Sequence, residues 1–158
     1  MIVTINKMVN LLEEWAVSKK PLINDFYFGN IYDVNSSTTV KYPLMVVDLV
    51  PTGSTTYNKG KFSNRINFLI GFFDQENDQL DVENVNGYRS NNVGEILSDT
   101  YQLYQDLLSE FTTNPTWRGF NISTPDGDKS YNWKMNDTGD KIWGIAVEIE
   151  ISGLYNCK

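Results

Sequence analysis

Residues Ile142–Ile151 read IWGIAVEIEI, and their pattern decides the fold class. Trp143, Ile145, Val147, Ile149 and Ile151 recur at every second position, with Gly144, Ala146, Glu148 and Glu150 between them. In an extended chain successive side chains point to opposite faces, so a period of two gives one apolar face and one polar face. A helix made of the same residues would scatter the isoleucines around its circumference. The stretch is therefore a strand with one buried face. Glu148 and Glu150 mark the other face as the candidate exposed acidic surface.

Immediately before this strand stands Asn136-Asp137-Thr138-Gly139-Asp140. Asp-Thr-Gly is the tripeptide that carries the catalytic carboxylate of aspartic proteases. That chemistry needs a second, facing aspartate sharing one proton, which so short a chain supplies only by dimerising. Here the tripeptide follows Lys134, Met135 and Asn136 rather than an apolar strand, and Asp140 adds another charge. Asp opening a turn with Gly near its end is the ordinary geometric reading, so Asp137–Asp140 is expected to be a hairpin turn. Pro125-Asp126-Gly127-Asp128 is a second turn signal without the full oxygen-ligand spacing of a calcium loop. Two or three antiparallel strands are expected to close the chain.

Upstream, Val93, Ile96, Leu97, Tyr101, Tyr104, Leu107, Leu108 and Phe111 form a helical stripe over about residues 92–111, with Asn91 or Asn92 as cap and Pro115 closing the segment. Arg65–Asp74 (RINFLIGFFD) and Tyr42–Val50 (YPLMVVDLV) are apolar strands, and Asp25–Val34 (DFYFGNIYDV) is an aromatic one. Pro51–Asn64 lacks apolar periodicity and is expected to be a long loop joining two paired strands, of the kind that often contacts a partner. Ile5, Met8, Val9, Leu12, Trp15 and Ala16 predict an amphipathic helix from Thr4, its N-cap, to Ser18. The order helix, strand, strand, loop, strand, helix, strands implies a single α+β domain over residues 1–158. It should hold an antiparallel sheet of about four to six strands with two amphipathic helices packed on it.

The 158 residues carry a net charge of −7, with 13 Lys plus Arg, no histidine and one cysteine, Cys157. The charge argues against a clamp built on phosphate neutralisation. Lacking histidine, the chain has no Ser-His-Asp or Cys-His machinery, and a single cysteine rules out thiolate cages. Any catalysis would fall to carboxylates, Lys or Tyr, and no carboxylate pair stands out. No enzyme activity, cofactor or metal is expected. No run of eighteen apolar residues predicts a membrane span, and the N-terminus does not read as a secretory signal. The acidic stretch Asp74–Glu83 reads as a solvated run. Lys59, Lys61 and Arg65, interleaved with Tyr57 and Phe62, read as a partner contact ahead of a nucleic-acid site.

Four pieces together resemble the tail-terminator and neck (head–tail joining) proteins of tailed phages, in the form carried by crAss-like and other Bacteroidetes phages. They are the N-terminal amphipathic helix; YPLMVVDLVPTG; RINFLIGFFDQENDQ leading to VGEILSDTYQLYQDLLSEF; and WKMNDTGDKIWGIAVEIEISGLYNC. The resemblance spans most of the chain and is thinnest over Pro51–Asn64 and Thr113–Ser130. It implies a homo-oligomeric ring, a hexamer or larger, in the virion, assembled in the host bacterial cytoplasm. Its partners would be other connector and tail proteins, with DNA passing through the channel without sequence-specific binding and no membrane contact. Tyr57, Lys59, Lys61, Phe62 and Arg65 would then lie at a subunit or ring–ring interface, and Glu148 and Glu150 on a channel-facing or exposed acidic face. The alternative is a small non-viral adaptor or ligand-binding domain using Trp117, Trp133 or Trp143 as an aromatic platform.

Overall fold

A computed structural model describes residues 4–30, 33–34, 39–48, 52–76, 93–123, 132–136 and 142–156. In chain order the elements are α1 (Ile5–Ser18), β1 (Asp25–Phe28), β2 (Leu44–Val47), β3 (Thr52–Asn58), β4 (Lys61–Gln75), α2 (Val93–Thr113), a 3-10 turn at Pro115–Trp117, β5 (Asn121–Ser123), β6 (Asn132–Asn136) and β7 (Ile142–Asn156). The architecture is the expected α+β fold, with two helices and a mostly antiparallel sheet that counts seven strands among the described residues.

The centre of the sheet is β4 against β7. Each has 15 residues, and they pair antiparallel from Lys61↔Asn156 to Gln75↔Ile142. The alternation of β7 is realised from Val147 to Ile151, where Val147, Ile149 and Ile151 are buried, Glu148 is exposed and Glu150 half-buried; nearer the start of the strand both faces are covered, Gly144 and Ala146 being buried along with Ile145, and Trp143 is only half-buried. These isoleucines join Met45, Val47, Phe68, Ile70 and Phe72 in the main core, which α1 and α2 cover. α1 contributes Met8, Val9, Leu12, Trp15 and Ala16; α2 contributes Leu103, Tyr104 and Leu107. Thr4 caps α1 as expected, its hydroxyl accepting from the Lys7 N–H at 3.3 Å. On the other face of the sheet Val34, Leu44, Val46, Phe73 and Ile142 form a smaller cluster.

Three expectations change. The expected loop Pro51–Asn64 is a hairpin from Thr52 onward. Among its described residues, β3 pairs with β4 from Thr52↔Asn67 to Asn58↔Lys61. The turn between them is Lys59-Gly60, with φ of 49° and 80°. Positive φ at both central residues belongs to the two-residue hairpin turn whose twist matches its strands. All seven residues of β3 are exposed, so no burial pattern is written into them.

The second change is at β1, which ends at Phe28 rather than running to Val34; Asp33 and Val34 sit in a 3-10 turn. Gly29 and Asn30 interrupt the run. The third is direction: β1 pairs parallel to β2, Asp25↔Leu44 to Phe28↔Val47. A hairpin would have made them antiparallel. The connection, positions 29 to 43, is fifteen residues, long enough to return the chain to its starting end. It is pinned there: the Asn24 N–H donates to Pro43 O at 2.8 Å and Lys41 N–H to Asp25 Oδ2 at 3.3 Å.

The turns at Asp126–Asp128 and Asp137–Asp140, the caps Asn91 and Asn92, Cys157 and most of the acidic stretch Asp74–Glu83 lie outside the described residues.

Candidate interaction surface

Because β4 and β7 are long, the sheet outruns its helices. Past Ile66 and Ile151 the β3–β4 hairpin continues with the end of β7 as a three-stranded arm. Residues opposite one another across a ladder share a face. Tyr57 and Phe62 are such a pair, their rings 4.9 Å apart between centroids, and they extend the helix-covered face. Lys61 and Arg65 point to the other face, and Lys59 occupies the turn. The structure thus gathers the five predicted contact residues on one arm but divides them: aromatics on one face, cations on the other and at the tip. Tyr57 is 65% exposed. The outer edge of β3 meets no other described strand, leaving backbone donors and acceptors open to pairing.

Arg65 stands opposite Ser152, Asn67 opposite Glu150 and Leu69 opposite Glu148. Arg65, Glu150 and Glu148 therefore line one sheet face in that order. Arg65, Glu150, Ser63, Ser152 and Asn121 border an open groove of about 470 Å³. No ion pair joins Arg65 to either glutamate among the described residues.

At the other end of β4 lies a feature the sequence did not announce. Pro21, Leu22, Pro43 and Leu103 wall a pocket of about 200 Å³ that Asp74, Asp99 and Asp106 also line. Its residues come from the segment after α1, the crossover, the end of β4 and the middle of α2, and no local motif connects them. Burial holds the Asp74 carboxyl above its ordinary value of 3.8; a backbone hydrogen bond from Gln75 pulls it down, and the charge on Asp99 raises it further. Asp106 is engaged by Lys19 at 3.3 Å and by Gln102 Nε2 at 3.0 Å.

Trp117 is 3% exposed and packs edge-on to Phe111 at 4.7 Å. Trp143 is half-buried and donates from Nε1 to Glu76 Oε2 at 2.9 Å. The side chain of Trp133 lies outside the described residues. Among the described residues no three of His, Cys, Asp or Glu are placed to hold a metal ion, and no helix is long and apolar enough to cross a membrane. No protein-family model and no curated protein matches the chain.

Proposed function

We propose that this chain is a structural subunit of a tailed-phage virion, a tail-terminator or neck protein that closes into a ring at the head–tail junction. The observation that carries the reading is the arm. A seven-residue strand exposed along its whole length, held clear of the core by β4 and β7, is a costly thing for an isolated monomer to present. It is the natural contact for a neighbouring copy. Joined with the resemblance of the two apolar strands, the second helix and the closing strand to head–tail joining proteins, it favours a protein whose work is done by interfaces and not by catalysis.

A head-to-tail contact between identical subunits closes into a ring when its rotation permits; six or more copies would surround duplex DNA. Glu148 and Glu150 on the inner surface would repel phosphates and let DNA slide without being held. The test is solution mass by light scattering across a concentration series, with negative-stain images of the same sample. Rings with a hole wide enough for a duplex are expected. A strict monomer, alone and when mixed with connector or tube proteins, would overturn the reading and favour an adaptor domain.

A further inference from the structure

We propose that the arm tip of one copy docks, through Lys59 and Lys61, into the Asp74–Asp99 pocket of the next copy. The inference rests on the ring reading and names the contact that builds it.

The tip and the pocket occupy opposite ends of β4. Lys61 and Asp74 are thirteen positions apart on one strand, about 40 Å at the rise of an extended chain. One molecule cannot bring its own tip to its own pocket, so the occupant must be a second chain. Tip and pocket are also different surfaces, which makes the contact heterologous, the kind that propagates head to tail.

The chemistry of the two ends matches. The pocket is mainly apolar by its walls, Pro21, Leu22, Pro43 and Leu103, and Leu22 is 58% exposed. Its volume of about 200 Å³ is on the scale of one long side chain. A lysine lays its methylene stem along such walls while its ammonium reaches the rim. At that rim Asp106 is already paired with Lys19, whereas Asp74 and Asp99 have no ion pair among the described residues. They are like charges close enough to repel, and Asp74 is partly desolvated. A cation placed between them relieves both penalties. Lys59 and Lys61 are exposed, and the Lys59-Gly60 turn holds them at the tip of the three-stranded arm. Presentation from a preformed hairpin lowers the ordering cost of binding.

Orientation follows from the same distribution. Two copies each of charge −7 repel on average, and placing the basic end of one against the acidic end of the other is the arrangement that offsets this.

The experiment uses sedimentation velocity on the full chain and two variants. One reverses the tip, Lys59→Asp with Lys61→Asp. The other changes the pocket, Asp74→Asn with Asp99→Asn. Each alone should raise the apparent dissociation constant of assembly by about tenfold or more. An equimolar mixture of the two retains one sound tip and one sound pocket, so it should form dimers that do not grow. If the pocket variant fails to fold, the tip variant, changed only at exposed positions, decides the matter. Rings of unchanged size and affinity from the tip variant would overturn this contact while leaving the ring reading intact. An unmodified chain that remains monomeric with connector and tube proteins present would overturn both.

Discussion

A methyl group on residue 144 has no room. An ideal Cβ there would fall 1.9 Å from the carbonyl oxygen of Phe72 and 2.7 Å from the ring of Phe73, and one on Gly71 would fall 2.2 Å from that same ring. The Phe73 ring covers two glycines, one on its own strand and one opposite on β7. Glycine in a strand often marks such an approach, and the sequence singles out Gly144 as a break in an otherwise apolar and β-branched run. Gly144→Ala should lower unfolding stability by about 3 kcal/mol in a denaturant titration, the upper range for an overpacked core. Gly71→Ala should cost less, because a ring yields more easily than a backbone carbonyl. Asp74 makes a prediction about pH. Its folded-state pKa is raised, so between 3.8 and that higher value the folded chain binds more protons than the unfolded one. Stability contributed by this group therefore falls as pH rises through the window, and the penalty is fully present at neutral pH. Asp74→Asn should remove that pH dependence and raise the neutral-pH melting temperature slightly. The gain should stay below about 1 kcal/mol because the carboxyl remains partly in water.

Elements were legible in proportion to how one-sided their burial is. α1 was read nearly to the residue because Met8, Leu12 and Trp15 all go into one core and Thr4 caps it. β7 was legible for the same reason over Val147–Ile151, where only one face is fully buried. β3 left no trace in hydropathy, since water reaches both of its faces, and what makes it a strand is pairing with β4 across a two-residue turn. Gly60 was the available signal; without an Asn or Asp before it, the turn is easily read as loop composition. The parallel pairing of β1 with β2 was hidden because it depends on the path of the crossover. Gly60 has φ of 80° with no atom near its missing Cβ, so a side chain there meets strain from backbone conformation alone. Gly60→Val should destabilise the hairpin by about 1–2 kcal/mol. Amide protection in Thr52–Asn58 should drop while protection in α2 and central β7 persists, as hydrogen exchange would register.

At the scale of the molecule Tyr57, Lys59, Lys61, Phe62 and Arg65 share one arm, and their division between two faces was not foreseeable without the register. The acidic pocket was illegible because four separate segments build it. Two outcomes belong here. Rings held partly by lysine–carboxylate contacts should dissociate more readily at 0.5 M than at 0.05 M salt, because exposed pairs are screened over about a Debye length; sedimentation at the two salts measures this. Under the ring reading, Glu148→Lys with Glu150→Lys should convert a wall that repels duplex DNA into one that retains it. A gel-shift at low salt should show binding for that variant and none for the unmodified ring.

The fifteen-pair ladder between β4 and β7 has a mechanical side. A pull applied at position 61 on β4 and resisted at position 142 on β7 draws the two strands past one another along their length. The hydrogen bonds between them lie across that line, so they are loaded together in shear and cannot open one after another like a zipper. The strand pair behaves as a tie-rod stretching from one end of the subunit to the other. In a stretching experiment anchored at those two positions the chain should extend stiffly and yield late. Anchored instead at 61 and 156, where the two strands end side by side, it should peel apart at much lower force.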